Sequence, residues 1–147
     1  MIIIGSDHGG LPLKTALTSY LKRRGLEVKD AGTDDDTSVD YPDFAQKVAE
    51  SVIARDAELG VLVCGTGIGM SIAANKIPGI RAALVTDLFM AHMAKEHNNA
   101  NVLVLGGRVL DEQNACNLVD AWLDATFEGG RHQIRLDKIT ALEKKNS

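Results

Sequence analysis

Short apolar runs alternate along this chain with longer stretches in which apolar residues recur every three or four positions. The short runs fall at residues 1–5, Leu26–Asp30, Leu59–Cys64, Ile80–Thr86 and Asn101–Gly106. A continuous apolar run closed by glycines, as in Val61-Leu62-Val63-Cys64-Gly65, predicts a buried strand. Helical patterns occupy residues 11–24, 42–56, 69–77, 87–97, 111–126 and 134–145. Gly25 is placed to end the first helix, and Pro42 suits the first turn of the second. Asp111 and Glu112 fit the start of the fifth. Strand–helix alternation of this kind requires crossovers and predicts a parallel sheet covered on both faces. The expectation is an α/β fold: one doubly wound domain over residues 1–147, with a five-stranded, Rossmann-like parallel sheet.

In such sheets ligands bind beyond the carboxyl ends of the strands, where the winding changes direction. A strand order of 2-1-3-4-5 makes strands 1 and 3 neighbours. Two polar, glycine-rich turns, Asp7-His8-Gly9-Gly10 and Cys64 to Gly69, then face one crevice.

Composition narrows the function. The chain has 147 residues, 45% apolar and 24% charged, with a formal net charge of −4. That balance argues against a nucleic-acid surface or an anionic membrane as partner. No apolar run approaches the ~20 residues of a membrane span. Met1 leads directly into Ile2-Ile3-Ile4 without a basic segment, so no secretory signal is predicted. Two cysteines 52 positions apart fit a reducing compartment rather than a disulfide framework. The expected location is cytoplasmic.

The segment Cys64-Gly65-Thr66-Gly67-Ile68-Gly69 carries the chemistry. Alternate glycines free the backbone to aim several N–H groups at one spot, and the following helix adds its positive end. A thiol at such a place is favoured as thiolate, which sets Cys64 apart from Cys116, whose helical neighbours Val119 and Leu123 assign it to packing. A dinucleotide fingerprint counted from Gly65 needs a third glycine where Met70 stands; counted from Gly67, it needs one at Ile72. Asp87, 20 residues after Gly67, keeps a non-catalytic nucleotide-binding module as an alternative. A P-loop would need a lysine before Lys76. His92 and His97 are five residues apart, about 140° around a helix, and do not converge on a metal. No metal and no cofactor are expected.

Asp7-His8, at the end of a strand and before two glycines, is placed as site rather than surface, and histidine can move protons both ways. His97-Asn98, closing the fourth helix, is expected near the same carboxyl edge, with a helix cap as the other reading. Arg131 and Arg135 share a helical face and, with Arg108 after Gly106-Gly107, suit a phosphate or carboxylate. Surface ion pairing is the alternative for that pair.

The quoted segments, with Val39-Asp40-Tyr41-Pro42-Asp43-Phe44-Ala45, Ser71 to Lys76, Gly79-Ile80-Arg81-Ala82 and Glu128-Gly129-Gly130-Arg131-His132, are spread along nearly the whole chain. Together they resemble the B-type ribose-5-phosphate isomerases, in a wider family with galactose-6-phosphate and allose-6-phosphate isomerases. The resemblance implies interconversion of D-ribose 5-phosphate and D-ribulose 5-phosphate with neither metal nor nucleotide. It implies Cys64 as the base at C2, with Thr66 and the backbone of Gly65, Gly67, Ile68 and Gly69 holding the cis-enediolate. His97 would serve ring opening. Asp7, His8 and Asn98 would bind the sugar, Arg108, Arg131 and Arg135 the phosphate, and Tyr41 would support. A homodimer or dimer of dimers with shared active sites is implied too, the region from His97 to Arg108 reaching across the interface. A hexose-6-phosphate isomerase of the same family is the competing activity.

Overall fold

The computed structural model describes residues 1–146. Five strands and six helices alternate: β1 (Ile2–Ser6), α1 (Leu11–Arg23), β2 (Val28–Asp30), α2 (Tyr41–Ile53), β3 (Leu59–Cys64), α3 (Ile68–Ala74), β4 (Ala82–Leu84), α4 (Leu88–Glu96), β5 (Val102–Gly106), α5 (Glu112–Asp124) and α6 (Arg131–Lys145). The predicted terminators act as expected. Gly25 follows the first helix with φ +82°, a left-handed conformation that costs glycine least. Pro42 lies in the first turn of α2, and Asp111 caps α5 by accepting from the Asn114 amide at 2.7 Å. Helix α6 begins three residues before its predicted start.

All strands are parallel, and their order is β2-β1-β3-β5-β4. The last two positions are therefore exchanged relative to the sequence expectation. Burial explains the exchange. Every residue of β5 is buried, whereas the three of β4 are only half-buried. An interior parallel strand is covered on both faces, so the more apolar run takes the interior and the shorter one the edge. The neighbourhood of β1 and β3 survives, and β5 now ends beside β3, with Cys64 in register with Gly106.

Helices cover both faces. Leu13, Leu17 and Leu21 of α1 and Leu118, Val119 and Trp122 of α5 bury one side of the sheet. Phe44, Val48 and Val52 of α2 and Met70 and Ala74 of α3 bury the other. At about 25 cal/mol per Å² of apolar surface, these layers are the main stabilising term. No helix among the described residues is long and apolar enough to cross a membrane.

One buried charge supports the loop after β2. The Lys14 ammonium, with a side chain 1% exposed, pairs with Asp30 at 2.6 Å and donates to the Thr33 carbonyl at 2.6 Å. Asp30 also accepts from the Gly32 amide, and the Gly32 carbonyl and Thr33 amide bind Ser6. Lys14 thereby ties this loop to the strand end that leads into Asp7. Lys14→Met keeps the aliphatic stem but strands the Thr33 carbonyl. The expected cost is about 1–3 kcal/mol, the penalty for an unpaired buried polar group. Urea unfolding measures it; an unchanged midpoint would mean that water replaces the ammonium.

Candidate active site

The carboxyl ends of β1, β3 and β5 bring one group of candidates together. Beyond β1, Asp7 begins a short 3-10 turn over His8–Gly10 and accepts the Gly10 amide at 3.0 Å. The His8 Nδ1 accepts the Val39 amide at 3.1 Å, which leaves Nε2 to carry the proton of the neutral ring. Beyond β3, the Cys64 side chain is buried, and its Sγ accepts the Gly67 amide at 3.2 Å. A fixed donor aimed at the sulfur stabilises negative charge there. Thr66 is exposed and its Oγ1 accepts the Ile68 amide at 3.2 Å. Two loop amides, those of Gly67 and Ile68, are thus already engaged within the loop.

Beyond β5 comes Arg108. Its amide binds the Gly65 carbonyl at 2.9 Å, while that of Gly107 binds the Cys64 carbonyl at 2.7 Å. The Arg108 guanidinium lies over Gly9 and Gly65, where added β-carbons would stand 3.3 and 3.2 Å from its nitrogens. Glycine at both positions therefore makes room for this cation, and no carboxylate among the described residues pairs with it. The exchanged strand order is what sets Arg108 directly beside the cysteine loop. Tyr41, at the start of α2, packs its ring against Gly69.

Gly67 has φ +83°, and a β-carbon there would sit 2.5 Å from Leu84 Cδ1 and 3.2 Å from the Leu105 carbonyl carbon. Gly67→Ala thus combines left-handed strain with overpacking, together about 2 kcal/mol. The variant should show a lowered thermal midpoint and lose most turnover, because the loop amides move. Unchanged values for both would refute the fit described.

His97 does not join this group, contrary to the expectation from sequence. Helix α4 runs antiparallel to the strands, so its C-cap, His97, lies at the amino edge of the sheet, ahead of Val102. Cys64 stands level with Gly106 at the other end of β5. Five residues at ~3.3 Å each separate the two by on the order of 15 Å. The region from His97 to Arg108 is accordingly divided between opposite edges.

At the amino edge a second group forms around the start of α6. The His97 and His132 rings stack with centroids 4.0 Å apart. Glu128 Oε1 lies 3.3 Å from His97 Nε2 and 3.5 Å from His132 Nε2. Burial, with His97 and Arg131 close by, holds the His132 imidazole below the usual histidine range. Arg131 and Arg135 extend from α6 as exposed cations without a carboxylate partner among the described residues. Asn98 is exposed and, with Arg81, Ala82, Leu136 and Ile139, lines a cavity of about 320 Å³.

No role for Glu128 or His132 follows from the sequence pattern. Their i,i+4 spacing was visible, whereas the partner that makes them a cluster, His97, is brought in only by the tertiary fold. Histidine spacing along α4 alone does not disclose this triad.

A family model described as ribose/galactose isomerase matches residues 2–139. Ribose-5-phosphate isomerase B of Escherichia coli K12 is 45% identical over 146 residues, covering 99% of this chain and 98% of that protein. The structure of Clostridium thermocellum ribose-5-phosphate isomerase B superposes with a TM-score of 0.98 at 55% identity, covering 99% of both chains. That of Mycoplasma genitalium ribose-5-phosphate isomerase B, with bound ribulose 5-phosphate, gives 0.93 at 47% identity, covering 97% of this chain and 95% of that one.

Proposed function

This chain belongs to the ribose/galactose isomerase family, and from that premise we propose that it interconverts D-ribose 5-phosphate and D-ribulose 5-phosphate. The observation that carries the choice of substrate is the 47% identical relative that holds ribulose 5-phosphate. The local chemistry agrees. Cys64 takes the proton from C2 of the opened aldose, and negative charge passes to the oxygens of a cis-enediolate. Thr66 and the free amides of the Gly65–Gly69 loop hold that charge, in the manner of an oxyanion hole. Return of the proton to C1, with transfer from O2 to O1, gives the ketose. Before this step His97 moves the ring-opening proton between O1 and the ring oxygen. Asp7, His8 and Asn98 hold sugar hydroxyls.

The site we propose is shared between two copies of the chain, as a homodimer or a dimer of dimers. Cys64 and His97 lie at opposite edges of one sheet, so a single pentose, several ångströms long, does not span them within one subunit. A second copy that brings its own amino-edge group over the cysteine crevice closes that gap. Arg131 and Arg135 then face Arg108, and three unpaired guanidinium groups suit one phosphate dianion. The crevice also has a rim that invites a partner: Ile68, Ile72, Leu88, Phe89 and Val109 are 51–71% exposed at or near the carboxyl edge. Apolar patches of this kind mark association surfaces.

The test of substrate is initial-rate ketose formation from ribose 5-phosphate, allose 6-phosphate and galactose 6-phosphate, side by side and without added metal. The pentose should lead in kcat/KM by more than about tenfold, since a site shaped and hydrogen-bonded for one sugar discriminates by at least that. A leading hexose phosphate would move the activity to that sugar while keeping the mechanism. No turnover of any of the three would overturn the proposal.

A further inference from the structure

We infer that His97, Glu128 and His132 form a binding site for a divalent transition metal ion, Zn²⁺ foremost, and that its occupancy switches the isomerase off. The three ligand atoms lie within 4.8 Å of one another. The two nitrogen–oxygen separations, 3.3 and 3.5 Å, are longer than an ordinary charge-assisted hydrogen bond. These two match the edge of a tetrahedron built on metal–ligand bonds of ~2.0–2.1 Å, which is about 3.3 Å. The two imidazole nitrogens, held within 4.8 Å by the stacked rings, must draw together on binding. Two imidazoles and one carboxylate are a zinc-type donor set and leave a position open for water. Mg²⁺ and Ca²⁺ prefer all-oxygen shells and are poorly served here.

The surroundings allow entry and limit strength. The Glu128 and His97 side chains are 53% and 37% exposed, so an ion reaches them from solvent. A metal lies in the plane of each ligand ring, so the stacked pair must splay on binding. His97, at a helix C-cap and partly exposed, is the ring that must turn. Arg131 and Arg135 stand near enough to act on His132, and their charge opposes a cation. The site is thus one that fills and empties with available metal, unlike a closed structural centre.

Binding stands on the triad alone. The inhibitory consequence rests on the proposed isomerase reading, because a coordinated His97 no longer accepts or gives the ring-opening proton.

Calorimetric titration of the chelator-treated protein should give one Zn²⁺ per chain and no heat with Mg²⁺. Glu128→Gln and His132→Gln should each weaken Zn²⁺ at least about tenfold, while His92→Gln and Cys64→Ala keep it. Glu128 is half-exposed, so its isosteric variant guards against loss of fold, and Zn²⁺ should raise Tm for the wild type but not for Glu128→Gln. No Zn²⁺ uptake by the wild type, or uptake that survives both triad variants and is lost in Cys64→Ala, overturns the site. In the activity arm, Zn²⁺ should abolish ribose 5-phosphate turnover over the titration range, and chelator should restore it. Bound Zn²⁺ with full turnover overturns the switch. A metal-free enzyme without turnover refutes the isomerase reading and leaves the binding result standing.

Discussion

Cys64→Ala should lower kcat with ribose 5-phosphate by about 10²–10⁴-fold, the usual contribution of a positioned proton-transfer group, with substrate binding retained. The side chain is buried at the end of β3 and touches the loop through one hydrogen bond from the Gly67 amide. Its removal costs roughly 1 kcal/mol of stability from that bond, so the fold persists and the loss is chemical. Binding should survive because the phosphate and hydroxyl contacts proposed for Arg108, His8 and the residues of a second copy are untouched. Equilibrium dialysis with ribose 5-phosphate and steady-state kinetics separate the two quantities. Ribulose 5-phosphate should also shield wild-type Cys64 from alkylation by iodoacetamide. A Cys64→Ala enzyme with wild-type kcat would remove the thiol from the mechanism.

Much of this protein is legible in its sequence, and what is hidden has physical causes. The runs at Ile2-Ile3-Ile4, Val61-Leu62-Val63 and Val102 to Leu105 are apolar throughout because parallel strands in mid-sheet meet helices on both sides. The helix-end signals at Gly25, Pro42 and Asp111 act locally, so short-range reasoning finds them. The cysteine loop is legible because alternate glycines at 65, 67 and 69 stand out as a pattern, although the contacts that require them, with Arg108, Leu84 and Tyr41, come only with the fold. Strand order was not, since it depends on which of two apolar runs packs better beside β3. The weaker pattern of Ile80–Thr86 against Asn101–Gly106 was the available hint.

The misplacement of His97 is more instructive. A residue between a helix end and the next parallel strand must lie at the amino edge, because the helix has run back along the sheet. Topology alone held that answer, and it changes how the site is assembled. Glu128 and His132 stayed hidden for another reason: their contact with His97 spans about thirty residues and leaves no periodic trace.

The second large effect concerns that assembly. Cys64→Ala and His97→Asn should each be nearly inactive as purified homo-oligomers. In a shared site the cysteine and histidine come from different chains, so the two mutations fall in the same site in a mixed pair and leave the other site intact. The symmetry of a two-fold dimer fixes the yield. Random reassortment makes about half of the dimers mixed, each with one working site of two, and so returns about a quarter of wild-type activity. If Cys64 and His97 served one site within a single chain, every site would carry a defect and mixing would restore nothing. Unfolding and refolding the two variants together at equal concentration, followed by ribose 5-phosphate turnover, is the most direct measurement. Recovery near one quarter is the predicted result, and activity no higher than the mean of the two separate variants would contradict the shared site.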